Sequence, residues 1–190
     1  MKKIISLFKR NYDTDHLVRN EVVPGAEWVL AGEGVATRKW DGSCCLVQGG
    51  ALFKRYEVAR GKAAPANFTP AGETDPVTGK TQGWVAVDAA NPSDRYFCEA
   101  IAAGMPADGT YELVGPKVQG NPDAFGSHQL VRHGALVLEG VPRDFDGLKA
   151  WLRTAGMEGV VWHHPDGRMV KIKAKDFARS GRVAAPITAA

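Results

Sequence analysis

Apolar and polar residues alternate along most of this chain in short runs, the pattern of half-buried strands, and only one stretch has strong helical spacing. Residues 28–58 form a strand-rich block. Within it, 34–39 and 43–48 read as strands flanking the turn Trp40-Asp41-Gly42, and Gly49-Gly50 marks a tight turn into the strand Leu52–Val58. Trp84–Asp88, 110–115 and 135–139 read as further strands. Ser93–Ala103 predicts a helix with a serine cap and a stop at Gly104. Asp146–Ala155 is the best helix: Leu148, Trp151, Leu152 and Ala155 share one face and Gly156 ends it. A hairpin follows, with strands Gly159–His163 and Arg168–Ala174 around Pro165-Asp166-Gly167. Residues 61–83, rich in Pro, Gly, Ala and Thr, read as a long flexible loop. Many short strands with about two helices predict an α+β fold with antiparallel sheets.

The 190 residues suit a single domain spanning 1–190, with a sizeable core. A net charge of +3 suits a polyanionic partner without demanding one. Three cysteines, two of them adjacent, make a poor disulfide framework, and the absence of Cys-x-x-Cys argues against a structural zinc site. The histidine spacing fits no usual zinc pattern either. The opening Met-Lys-Lys-Ile-Ile-Ser-Leu-Phe-Lys-Arg is broken by charge too early for a signal peptide, and no apolar run is long enough to span a bilayer. The expectation is a cytoplasmic protein and a monomer.

Chemistry enters with Lys39-Trp40-Asp41-Gly42, followed in order by Glu112, Glu158 and Lys171-Ile-Lys173. Each lies on its own apolar, strand-like segment. Lysine attacks a phosphate only when deprotonated, through burial or nearby positive charge. Lys171 and Lys173, two apart on a strand, point to one face while Val170 and Ile172 point to the core. Their charges would depress the pKa of Lys39 and hold a phosphate. Carboxylates on core strands are costly unless paired or metal-bound, so Asp41, Glu112 and Glu158 are candidates for Mg²⁺ (or Mn²⁺), held through waters. Arg55, on a strand expected to pair with the motif strand, would reach phosphate or ribose. Trp40 would line a nucleotide pocket or a protein surface. Taken alone, Lys171 and Lys173 equally suit the solvent face of an edge strand. Gly79-Lys80-Thr81 mimics the tail of a phosphate loop but lacks the preceding glycine and strand.

This ordered set resembles the covalent nucleotidyltransferases, the polynucleotide ligases and mRNA-capping enzymes. In them Lys-x-Asp-Gly carries the covalent nucleophile. Asp-Gly-Ser-Cys-Cys (41–45), Gly-Trp-Val-Ala-Val (83–87), Gly-Asn-Pro (120–122), Arg-His-Gly-Ala (132–135) and Glu-Gly-Val-Val-Trp-His (158–163) are similar to the small vertebrate-type 5′–3′ RNA ligases and their microbial and phage relatives. The resemblance implies a nucleotidyltransferase, ATP-grasp-like fold: two antiparallel sheets flanking a nucleotide cleft, with peripheral helices. It implies ATP-dependent joining of an RNA 3′-hydroxyl to an RNA 5′-phosphate through a lysyl-AMP on Lys39. Lys171 and Lys173 would assist, and Arg38, Trp40, Arg55, Glu112 and Glu158 would line the nucleotide site.

There are departures from the pattern. Arg38 stands where many ligases have an acidic residue, and Ser43, Cys44 and Cys45 replace an arginine after Asp-Gly, so Arg55 is the substitute candidate. Only 17 residues follow Lys173, too few for a C-terminal oligonucleotide-binding domain, which favours RNA ligase over DNA ligase or capping enzyme. The rivals are a minimal ATP-dependent DNA ligase, a capping guanylyltransferase using GTP, and a non-catalytic nucleotide- or RNA-binding module.

Overall fold

The alternation read over residues 168–174 forms a strand in the structure. In this computed structural model, which describes residues 4–178, Val170 and Ile172 are fully buried and Lys171 and Lys173 sit half-buried on the opposite face of their strand. The described residues divide into two compact units, 41–133, and 4–40 with 134–178. They are called here the carboxylate unit and the lysine unit.

The lysine unit contains β1 (Ile5–Ser6), β2 (Phe8–Arg10), β3 (Val18–Val22), α1 (Glu27–Leu30) and β4 (Val35–Lys39). After residue 133 come α3 (Phe145–Thr154), β11 (Gly159–His163) and β12 (Met169–Lys173). Its main sheet has the order β1-β12-β11-β4. β12–β11 and β11–β4 are antiparallel, but β1 runs parallel to β12, so the expectation of purely antiparallel sheets is corrected to a mixed sheet. A parallel neighbour must come from far away in sequence, here the other end of the chain, and local alternation carries no trace of it. Leu7, Phe8, Val29, Leu148, Leu152, Val160, Trp162, Val170 and Ile172 form the core. α3 is the predicted helix almost residue for residue. Asp144 caps it by accepting from the Gly147 amide at 2.8 Å, and Leu148 and Leu152 are its buried face. The predicted strand 135–139 is not one: it makes a single bridge, Val137 to Thr37, and Leu136 and Val137 are exposed.

The carboxylate unit is built on an antiparallel sheet of order β10-β9-β5-β6-β8-β7. Its strands are β5 (Ser43–Gln48), β6 (Ala51–Val58), β7 (Phe68–Pro70), β8 (Thr81–Ala86), β9 (Gly109–Val114) and β10 (Gln129–Arg132), and its one α-helix is the short α2 (Arg95–Ala100). Asn91, not Ser93, supplies the helical entry, accepting from the Ser93 amide. Cys45, Val47, Leu52, Tyr111, Leu113 and Val118 form this unit's core.

Two further expectations change. The segment 61–83 is not loop throughout: β7 pairs with β8, and Gly83 leaves room for the Phe68 ring, since a Cβ there would lie 2.3 Å from it. Pro70 is tolerated because β7 is an edge strand. Trp40-Asp41-Gly42 is not a hairpin turn either. β4 pairs with β11 while β5 pairs with β6 and β9, so the segment carries the chain from one sheet to the other. Among the described residues no helix is long and apolar enough to cross a membrane.

Candidate functional site

In the lysine unit the register of β11 gathers the charged groups. Gly159 is opposite Lys39 on β4 and opposite Lys173 on β12. A Cβ at Gly159 would lie 2.1 Å from the Ile172 carbonyl oxygen, so only glycine lets these strands approach. Glu158, the residue before it, is therefore delivered between the two lysines. Lys39 Nζ donates to Glu158 Oε2 at 2.5 Å and Lys173 Nζ lies 2.8 Å from Oε1. Burial pushes the Glu158 carboxyl up, but the ammonium groups of Lys39 and Lys173 outweigh it and the net shift is down.

Lys171 completes the group, and no ion pair to its side chain occurs among the described residues. Burial pulls its pKa down to about 8, with the charges of Lys173 and then Lys39 adding to the effect. Two ammonium groups hold one buried carboxylate with a third beside them, and this excess of positive charge is a ready site for an anion. Asp176, which sequence reasoning missed, fixes one side of it: it is 3% exposed, pairs with Arg10 and accepts the backbone amide of Lys173 at 3.0 Å. Arg38 lies with its guanidinium 4.3 Å over the Trp40 ring.

In the carboxylate unit Glu112 is buried on β9, as its apolar flanks predict. Its Oε1 accepts the Gly42 amide at 3.1 Å and its Oε2 lies 2.8 Å from His133 Nε2. Gly42 is required there, since a Cβ would lie 2.1 Å from the Leu113 carbonyl oxygen. Asp41 precedes it, half-buried. Cys44 is directly opposite Glu112 across the β5–β9 pair. Cys45 points the other way, fully buried, its thiol bonded to the Tyr111 carbonyl, and burial pushes that thiol well up. Arg55 lies on β6, which pairs with β5, the strand that follows Asp41-Gly42; its guanidinium lies 5.0 Å over Trp84 and its Nε donates to Gln82 at 3.0 Å. His128 stacks on Tyr96 at 4.3 Å and bonds Glu99. Lys80 of the phosphate-loop lookalike pairs with Glu57 at 2.6 Å.

The carboxylates divide by surroundings. Mg²⁺ prefers hard oxygen donors and keeps much of its water. Glu158 offers such oxygens, although both are held by lysines here. Glu112 has a thiol and an imidazole beside it, a softer set.

Comparison with known proteins supports the RNA ligase resemblance. A sequence profile described as RNA ligase 1 matches residues 98–180, which contain Glu112, His133, Glu158, Lys171 and Lys173. RNA ligase 1 of Pongo abelii is 28% identical over 153 residues, covering 58% of this chain and 47% of its own length. RNA ligase 1 of Danio rerio is 39% identical over 72 residues, 33% of this chain and 22% of its own. RNA ligase 1 of Mus musculus is 26% identical over 212 aligned positions, 73% of this chain and 65% of its own. The chain thus spans less than two thirds of the length of each of these relatives, and over that span it resembles the RNA ligase 1 family.

Proposed function

We propose that this chain is an ATP-dependent RNA ligase that works through a covalent lysyl-AMP on Lys39. The observation that carries the reading is the lysine centre. Lys39 and Lys173 hold the two oxygens of one buried glutamate, with Lys171 as a third ammonium beside them. A structural ion pair needs one lysine; three around one carboxylate leave net positive charge for a phosphate. The resemblance to RNA ligase 1 proteins supports the choice of RNA as the strand joined.

Lys39 Nζ must shed a proton before it attacks, and its nearest acceptor is Glu158 Oε2 at 2.5 Å. Lys173 takes the other oxygen of Glu158 and so shares the carboxylate's hold on Lys39. Nζ then bonds to the α-phosphorus of ATP while the bond from that phosphorus to the bridging oxygen breaks and pyrophosphate leaves. The RNA 5′-phosphate next takes the AMP, breaking the nitrogen–phosphorus bond and returning the lysine. The 3′-hydroxyl finally attacks the activated 5′-phosphate and AMP departs. Lys171 and Lys173 stabilise the charge that grows on the phosphoryl oxygens. Bound Mg²⁺ would neutralise phosphate charge, with Glu158, Asp41 and Glu112 as its candidate carboxylates. Arg38 and Trp40, stacked on one another next to Lys39, would meet the nucleotide.

The test is strand joining by the full chain with ATP and Mg²⁺, on nicked duplexes that carry RNA or DNA at the 3′-hydroxyl side. RNA ligase activity predicts sealing that depends on RNA there. Equal sealing of DNA would favour a minimal DNA ligase, GTP dependence would favour a capping guanylyltransferase, and binding of ATP or RNA with no joining would favour a non-catalytic module.

A further inference from the structure

The carboxylate unit contains a second cluster of chemistry around Glu112, whose cysteine and histidine the lysine mechanism does not use. Cys44, Glu112 and His133 each offer a ligand atom, and these atoms all lie within 4.8 Å of one another. They come from three neighbouring strands. Cys44 on β5 faces Glu112 on β9 in register, and His133 follows β10, its backbone amide bonded to the Thr110 carbonyl. We infer that Cys44, Glu112 and His133 form a binding site for a borderline divalent cation of the zinc type.

The donor chemistry selects the ion. Thiolate, imidazole and carboxylate together suit zinc, whereas magnesium and calcium take oxygen donors. Three protein ligands leave a fourth position for water or another group. Bonds of about 2.0–2.3 Å in a tetrahedral site put ligand atoms roughly 3.3–3.8 Å apart, near the separations of this set, whose atoms all lie within 4.8 Å of one another. Glu112 is already oriented as a ligand should be: the Gly42 amide holds Oε1 and leaves Oε2 toward His133. Binding would expel the thiol proton and leave the His133 ring proton on the nitrogen that does not meet the ion. Thiolate and carboxylate then balance the charge of the ion, and the imidazole is neutral. The sequence argued against zinc because it has no Cys-x-x-Cys and its histidine spacing fits no usual pattern; only sheet pairing brings Cys44, Glu112 and His133 together.

The probe is Co²⁺ added to the full chain, followed by optical absorption, with Zn²⁺ as competitor. The wild type is expected to take up one Co²⁺ with a thiolate-to-cobalt charge-transfer band that Zn²⁺ abolishes. Cys44→Ser should lose the band, His133→Asn should weaken binding at least about tenfold, and Cys98→Ser should change neither. A folded wild type with no such band overturns the site, as does a band that survives Cys44→Ser, or His133→Asn binding as tightly as wild type. Lys39→Ala should keep the band, so failure of the ligase reading and failure of the metal site are distinguishable.

Discussion

Glu158 and Glu112 are both buried carboxylates at the ends or middles of apolar strands, yet their surroundings give them opposite characters. Glu158 is held by two ammonium groups with a third beside them, so its centre carries excess positive charge. Glu112 is held by a backbone amide and an imidazole with a thiol opposite, so its centre carries proton-exchanging, metal-ligating groups and no fixed cation. The sequence reading grouped them as one kind of residue. The difference teaches that a buried acid is defined by what long-range pairing delivers to it, here strand partners with lysines on one side and a cysteine and a histidine on the other.

The same substitution at both positions separates the two characters. Glu158→Gln leaves two lysines facing a neutral amide and should cost about 3 kcal/mol in urea unfolding, the low end for a broken buried pair because both lysines keep some solvent. Its folded pKa is lowered, so the carboxylate contributes stability above the ordinary carboxylate range and loses it as pH falls through the folded value. The gap between wild type and Glu158→Gln should therefore close in acid. Glu112→Gln keeps an oxygen for the Gly42 amide and should cost about 1 kcal/mol. Equal costs at the two positions would erase the distinction.

Lys171 gives a test of opposite sign. Its folded pKa, about 8, is below that of an unfolded lysine, so the folded state bears the cost of charging it below that pH. Stability should rise with pH from about 8 toward the unfolded lysine value, by on the order of 2 kcal/mol after discounting for solvent. Lys171→Met should flatten that rise, as read from urea midpoints across the window. A wild type with no rise would show that the three lysines do not share one field.

The smallest effect concerns the adjacent cysteines. Cys45→Ser puts a hydroxyl into a core position and should cost about 1 kcal/mol, whereas the half-buried Cys44→Ser should stay within about 0.5 kcal/mol. Thermal unfolding of the two variants measures the difference. A reversed order would mean that Cys44 is the structural thiol.

What was legible in the sequence was local. The alternation of Lys171, Ile172 and Lys173 and the spacing of Leu148 and Leu152 dictate β12 and α3, and both stand as read. What was not legible depends on partners far apart. Lys39 meets Glu158 across 119 residues, β1 joins β12 from the other end of the chain, and His133 reaches Glu112 through a strand, β10, whose four residues gave no clear signal. Val137 misled because an exposed apolar run has strand composition without a strand's ladder. Trp40-Asp41-Gly42 misled because β4 and β5 were taken to flank one tight turn, whereas they belong to different sheets.

The central claim is that Lys39 becomes covalently bonded to AMP. The direct measurement is the intact mass of the purified chain after incubation with ATP and Mg²⁺, with Lys39→Ala beside it and the adduct mapped by peptide sequencing. The account predicts a gain of one AMP on the wild type, located on Lys39, and none on Lys39→Ala. A folded wild type that begins without AMP and gains none, or an adduct that persists in Lys39→Ala, would contradict it.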